Sequence, residues 1–392
     1  MREDRRADLV GFRLGVVPRA GENLGSNMAG NSQFFACIMA GGSGERFWPM
    51  SRAQTPKHLL KLLSERTLVE ETVRRLGAAV PPENIFVLTN EVQLPGTRAA
   101  LAGLLPASQI VAEPAKRDTA PAAALATALV RARGGEGATL ALLPADAFIA
   151  DATTCAVQLG AALRRAADAG AIMTIAIKPD HAATGFGYLE MGEERAIGPA
   201  GTVRQVKRFV EKPDAATAQR YLESGDYAWN AGMFFWRVDT FVAEAERHAP
   251  ELAQFIREFP AGEFGAFLAQ RFPVLPKISV DYAIMEKARS VETLVAKFDW
   301  DDVGLWTALP KHLATDAEGN SSRGAVVVAG ARALLERSGV ASAIEGAETV
   351  RASAAPTKAR RAIMVGVPEQ LPRTSDTLAP VQVAVSQKRE RL

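Results

Sequence analysis

The sequence predicts an α/β protein: a mostly parallel sheet with helices on both faces. Three observations carry this. Short apolar runs alternate with helical stretches from residue 34 to about 177, the pattern of strands joined by crossover helices. The first apolar run ends in a glycine-rich turn, Ala40-Gly41-Gly42-Ser43-Gly44. A later run, 139–143, ends in Pro144-Ala145-Asp146. Ligands in open α/β sheets bind beyond the carboxyl ends of strands, so both turns fall where a site is expected.

In chain order, Phe34–Met39 reads as a buried first strand, because it is a continuous apolar run. Strands are expected at 85–89, 109–112, 139–143 and Ile172–Ile177, and helices at 67–76, 120–133 and 153–167. Asp118 or Thr119 can cap the helix at 120, with Pro121 tolerated in its first turn. Beyond 180 the pattern is mixed. Strands are expected at 187–191, 203–210, 232–236 and 291–298, and helices at Ala215–Ser224, 239–248 and 280–288. No repeat of 20–50 residues is present. Residues 1–33 lack periodicity and read as a disordered leader, with Met28 a candidate start. Residues 320–392 read as a small C-terminal region, β-rich or partly disordered, with one strand at 324–329.

Composition narrows the function classes. A formal charge of +2 over 392 residues gives no basis for a nucleic-acid or membrane partner. No run of 18 or more apolar residues occurs. The N-terminus carries acidic residues where a signal peptide would be basic. Two cysteines, Cys37 and Cys155, cannot form a disulfide framework, which fits a reducing cytoplasm.

The glycine turn presents bare backbone N–H groups, and Arg46 and Lys57 supply cations for a polyphosphate. A Walker A loop is excluded, because Gly44 is followed by Glu45-Arg46. A dinucleotide fingerprint is excluded, because its third glycine would stand at Phe47. Asp146 follows a strand and suits a hard cation such as Mg²⁺, which takes one or two carboxylates plus phosphate oxygens. Alone, an aspartate there is more often a turn residue.

The run Gly41-Gly42-Ser43-Gly44-Glu45-Arg46-Phe47-Trp48-Pro49-Met50-Ser51-Arg52, followed by Pro56-Lys57, resembles the first signature of sugar-1-phosphate nucleotidyltransferases. The Trp-Pro-x-Ser-Arg form is similar to that of mannose-1-phosphate guanylyltransferases. The resemblance spans about residues 34 to 313. It implies a Rossmann-like sheet, Mg²⁺ as cofactor, and GTP and mannose 1-phosphate as substrates, joined with release of pyrophosphate. It also implies one nucleotidyltransferase domain over 34–319, with a nucleotide half at 34–178 and a sugar half at 179–319. Glu45 and His58 depart from the usual Gly-Thr-Arg and Pro-Lys-Gln, and Glu45 is expected to turn outward.

Residue by residue, the resemblance assigns Gly41, Gly42, Ser43 and Gly44 to the nucleotide phosphates. Glu113-Pro114-Ala115-Lys116-Arg117-Asp118-Thr119-Ala120-Pro121 matches the loop at the base, adding Glu113, Arg117 and Thr119. Asp118 stands where Asn is usual. Asp146 and Asp302, the latter in Asp302-Val303-Gly304-Leu305-Trp306, become the metal ligands, with Asp301 a neighbour and Ala147 where His is usual. A helix N-cap is the alternative role for Asp302. Phe209-Val210-Glu211-Lys212-Pro213 matches the second signature, assigning Glu211 and Lys212 to the sugar phosphate. Gly187, Asn230 and Asp281 complete the sugar site. Arg46, Lys57, Asp146 and Lys212 are the expected catalytic residues. A different nucleotide and hexose 1-phosphate pair, or a catalytically silent regulatory homologue, are the alternatives. A homodimer stays open as the assembly.

Overall fold

The computed structural model describes residues 33–42, 45–48, 50–77 and 79–313, and three strand backbones beyond them. Nine strands form the main sheet: β1 (Phe34–Met39), β2 (Ile85–Asn90), β3 (Ile110–Glu113), β4 (Thr139–Pro144), β5 (Ile172–Ile177), β6 (Gly187–Gly198), β7 (Gly201–Glu211), β8 (Tyr227–Arg237) and β9 (Val291–Val295). Their order is β3-β2-β1-β4-β8-β5-β9-β7-β6. The β3-β2-β1-β4 block and the β5–β9 pair are parallel. β8 runs antiparallel to both β4 and β5, and β7 runs antiparallel to β6 and β9. All but β7 and β8 therefore point one way. The sequence halves at 34–178 and 179–319 share this sheet, because β8 is wedged between β4 and β5.

The helices are α1 (Leu68–Leu76), α2 (Leu94–Ala100), α3 (Thr119–Gly134), α4 (Ala152–Ala169), α5 (Ala215–Ser224), α6 (Val238–His248), α7 (Pro250–Glu258) and α8 (Gly265–Arg271). Thr67 and Glu70 form a reciprocal capping box that starts α1. Side chains alternate across a strand, so successive residues enter opposite cores. Phe35, Cys37, Leu140 and Leu142 pack with α3, α6 and α7. Ala36, Ile38, Ala141 and Leu143 pack with α1 and α4 on the other face. α3 is buried from Ala120 to Val130. Its run of alanines lets it lie close beneath the sheet. Trp236 reaches across to it, its indole N–H donating to Thr127 Oγ1 at 3.1 Å.

Three short helices, α2, α7 and α8, were not expected from the pattern. The helix expected at 280–288 is one wide turn, Asp281–Met285, closed by Glu286 N–H on Asp281 O at 3.0 Å. The strand expected to run to 298 ends at Val295, where the chain leaves the sheet. The strand expected at 324–329 lies outside the described residues, as does the leader. Near the C-terminus β10 (Ser321–Arg323), β11 (Arg361–Gly366) and β12 (Gln382–Gln387) form a separate sheet in that order. Among the described residues no helix is long and apolar enough to cross a membrane.

A third, smaller core bears directly on the site. Phe47, Leu60, Leu62, Leu68, Val303 and Leu309 cluster together. The Phe47 and Trp306 rings lie 5.3 Å apart, and Trp306 Nε1 donates to Trp48 O at 3.3 Å. This core joins the segment after the glycine turn to the segment after Asp302. Nearby, the Asp299 carboxylate accepts from the Ala150 and Asp151 N–H groups, at 2.8 and 2.9 Å. Asp299→Ala removes both acceptors, and should lower stability by about 1 kcal/mol, as for loss of a cap. Chemical denaturation measures this; an unchanged midpoint would show that water replaces the carboxylate.

Candidate active site

β4 delivers Asp146 just beyond its carboxyl end. Ala145 N–H donates to Met39 O at 3.1 Å, so the turn stays in register with β1. Two residues on, Phe148 and Asp301 form an antiparallel bridge. Phe148 N–H donates to Asp301 O at 2.8 Å, and Asp301 N–H to Phe148 O at 3.0 Å. Asp146 and Asp302, far apart in sequence, are brought together by this rung. Lys57 follows Pro56 on a short turn, Lys57–Leu59. Its ammonium donates to Asp146 Oδ2 at 3.0 Å and to the Asp302 carbonyl oxygen. Lys57 is only 8% exposed.

The neighbouring aspartates divide the work. Asp301 accepts from Val303 N–H at 2.7 Å and from His312 Nε2 at 2.9 Å. Burial pushes the Asp301 pKa up, but the His312 and Val303 bonds outweigh it and hold the group below the usual range. Asp301 is thus spent on shaping the loop. Asp302 has its pKa raised, by burial first and then by the Asp301 and Asp146 charges, against the pull of Lys57.

Among the described residues, the non-glycines with left-handed backbone are Asp118 (φ 69°), Lys212 (φ 46°) and Val303 (φ 44°). Each lies in a different motif of the site. For a β-branched residue this conformation costs roughly 1–2 kcal/mol. Burial of the Val303 side chain in the third core offsets it.

Two cavities meet at Asp146, sharing Met39, Thr119 and Pro144 as well. The first, about 330 Å³, is lined by Gly41, Gly42, Lys57, Glu113 and Arg117. The Gly41 and Gly42 carbonyls accept from Asn90 Nδ2 at 3.3 Å and Gln93 Nε2 at 3.0 Å. A trans peptide directs N–H opposite to C=O, so the Gly42 N–H points away from Asn90. Glu113 lies beside Gly41, where an added Cβ would stand 3.7 Å from its Oε2. Burial pushes the Glu113 carboxyl up to about 8. Arg117 donates to the Pro273 carbonyl. Thr119 Oγ1 accepts from Val280 N–H at 2.9 Å, which ties this loop to the segment carrying Asp281. Ser43, Gly44 and the Glu45 side chain lie outside what is described.

The second cavity, about 240 Å³, is lined by Gly187, Glu211, Asn230, Asp281 and Asp302. A Cβ on Gly187 would stand 2.6 Å from Glu211 Oε2, so the bare backbone makes room for that carboxylate. Thr174 Oγ1 holds one end of the Asn230 amide at 2.7 Å, leaving the other polar end for the cavity. Asp281 is pushed up to about 7, by burial and then by the Glu211 charge. Lys212 flanks this cavity rather than lining it. Its side chain is 61% exposed and pairs with Glu211 Oε1 at 2.6 Å. Arg46 lines neither of these cavities. It stands in a third, about 490 Å³, that has Asp302 in its wall.

Some lining residues carried no assignment from the sequence. His58 is buried in the wall of the first cavity, and burial pushes its pKa down to about 4, so it is neutral near pH 7. Lys116 and Lys277 add cations there. Lys116 sits inside the recognised motif, but Lys277 reaches the cavity only because 273–280 docks on 117–120. No local pattern marks it.

The residues present fit a hard dication. Asp146 and Asp302 offer the one or two carboxylates that Mg²⁺ takes beside phosphate and water. The Lys57 ammonium already lies between the two residues, which marks the point as one that holds positive charge. Among the described residues no cluster of three His, Cys, Asp or Glu side chains forms a closed metal cage.

The description "nucleotidyl transferase" belongs to the family model that matches residues 35–319. A mannose-1-phosphate guanylyltransferase of Sinorhizobium fredii is 37% identical over 321 residues, 80% of this chain and 62% of that protein. One from Escherichia coli K12 is 36% identical over 306 residues, covering 76% and 63%. The crystal structure of a mannose-1-phosphate geranyltransferase from Thermus thermophilus has a TM-score of 0.66 and 34% identity, covering 74% of this chain and 82% of that one. The chain spans a little over three-fifths of the length of these two curated relatives.

Glu113 provides a check on the first cavity. Its folded pKa, about 8, lies above the unfolded value of about 4.3. Between those values the folded chain holds more protons than the unfolded one, so stability falls as pH rises and levels off above pH 8. Glu113→Gln should remove this part of the fall. Thermal melts from pH 5 to 8 measure it; an identical slope in both proteins would show that the Glu113 charge is well solvated.

Proposed function

Because the chain belongs to the nucleotidyl transferase family, we propose that it transfers GMP from GTP to mannose 1-phosphate, giving GDP-mannose and pyrophosphate. The observation that carries this reading is the meeting of two cavities at Asp146, beside Lys57 and Asp302. One cavity suits a nucleotide and the other a hydroxyl-rich ring, and the reacting atoms would meet at their junction.

The obstacle to the reaction is bringing two phosphate anions together. Catalysis is then positioning plus charge neutralisation. Gly41 and Gly42 let the triphosphate approach backbone N–H groups. Arg46 takes its pyrophosphate end, and Lys57 the charge near the α-phosphate. Glu113 accepts from the guanine N1 and N2 donors, which favours its ionised form. In the second cavity Asn230, Glu211 and Asp281 bond the sugar hydroxyls, and Lys212 turns from Glu211 to the sugar phosphate. Asp146 and Asp302 would hold Mg²⁺, which would supply charge neutralisation for the reacting phosphates. No general base is needed, because the sugar phosphate is already ionised at neutral pH. We assign the activity to the cytoplasm, in keeping with two buried free cysteines.

The test is pyrophosphate release from GTP with and without mannose 1-phosphate. Release that requires both substrates is expected. Equal or faster release from UTP with glucose 1-phosphate would shift the substrate assignment, and no release from any pair would point to a regulatory homologue. Asp146→Asn and Asp302→Asn each keep shape and lose charge. Each should lower kcat by about 100-fold or more with melting temperature nearly unchanged, as for loss of a metal ligand. Near-normal turnover in either variant at saturating Mg²⁺ would remove that residue from the metal site.

A further inference from the structure

We propose that Lys57 is the resident cation of the reaction site in the substrate-free protein, and that it yields this position to a divalent ion when nucleotide binds. The proposal rests on the reading of Asp146 and Asp302 as metal ligands. Two observations carry it. The Lys57 ammonium donates to both residues, to the carboxylate of Asp146 and the carbonyl of Asp302. It is buried there at 8% exposure, whereas the Asp146 side chain is 44% exposed and so open to an incoming ion.

Two neighbouring carboxylates repel each other, and an ammonium bonded to one of them and to the backbone of the other lowers that cost. The ammonium fills this need when no metal is present. It also competes with a metal, because a second cation beside it would be repelled. Lys57 has an alternative partner within reach of its flexible stem. It lines the first cavity, where the nucleotide phosphates would lie. Phosphate arriving there draws the ammonium off Asp146 and clears the carboxylate. The lysine thus links the two events: divalent binding is weak without nucleotide and strong with it. A lysine that only neutralises phosphate would leave metal binding to the free protein unaltered.

Manganese binding in the absence of any nucleotide or sugar tests this, read by electron paramagnetic resonance of free Mn²⁺. Lys57→Met keeps the apolar stem and removes the charge. It should bind Mn²⁺ about tenfold more tightly than the unaltered protein, as for removal of one close charge pair. Lys57→Gln, a polar neutral replacement, should do the same and guards against misfolding of the first variant. Lys57→Arg, still cationic, should not tighten binding. Equal or weaker Mn²⁺ binding in both neutral variants, or no binding in any, overturns the proposal. Asp146→Asn added to Lys57→Met separates the two readings. If it abolishes binding while Lys57→Met and the unaltered protein bind alike, only the lysine proposal fails. If it leaves tight binding intact, Asp146 is no ligand, and the metal assignment fails with it.

Discussion

Two backbone hydrogen bonds between Phe148 and Asp301 are the constraint on which the site depends. Asp146 leaves the end of β4, and Asp302 arrives after β9, on the far side of β8 and β5 in the sheet. Nothing in the sheet pairing itself brings these ends together. The single rung at 148 and 301 does so, and Lys57 then bridges the two aspartates. The Asp299 carboxylate on the 150–151 amides and the Phe47–Trp306 contact brace the same junction from either side.

Around that junction the protein buries carboxyl groups where ionising them is costly. Glu113, Asp281 and Asp302 all have raised pKa values with burial as the first cause. A buried carboxylate without full pairing costs stability, and strained backbone at Asp118, Lys212 and Val303 adds to it. The ligands proposed for this site would relieve much of this. Guanine donors suit Glu113, sugar hydroxyls suit Asp281, and a dication suits Asp302. Electrostatic preorganisation of this kind is stored in the folded chain before any substrate arrives. The apolar cores on the two faces of the sheet supply the stability that makes it tolerable.

The wedged strand β8 has a functional consequence. Its antiparallel insertion between β4 and β5 puts Asn230 beside the carboxyl end of β4, next to Asp146. The loop 117–120 is docked on 273–280 through Arg117, Thr119 and Ala120. Both joints connect the nucleotide side of the site to the sugar side. Thr119, assigned to the nucleotide from its motif, spends its hydroxyl as an acceptor for Val280 N–H and so also positions Asp281.

Most of the strands and the longer helices were legible in the letters. Short continuous apolar runs such as Phe34–Met39 and Ile172–Ile177, bounded by turn residues, suit strands buried on both faces. The motifs, read through their resemblance to a known family, likewise picked out residues that line the two cavities at Asp146. The short helices α2, α7 and α8 were not legible, since Pro95 and Gly96 in α2, Pro250 at the start of α7 and Gly265 at the start of α8 read as breakers. The wide turn at 281–285 was not legible either, because a single wider hydrogen-bond ring leaves no mark in composition. Lys277 enters the first cavity only because 273–280 docks on 117–120, a joint between distant segments. The sequence by itself determined which chemical groups the site would have and at which strand ends they would emerge. Only the tertiary structure decided which of them face one another. Local preference acts over a few residues, whereas the Phe148–Asp301 rung joins segments separated by half the domain.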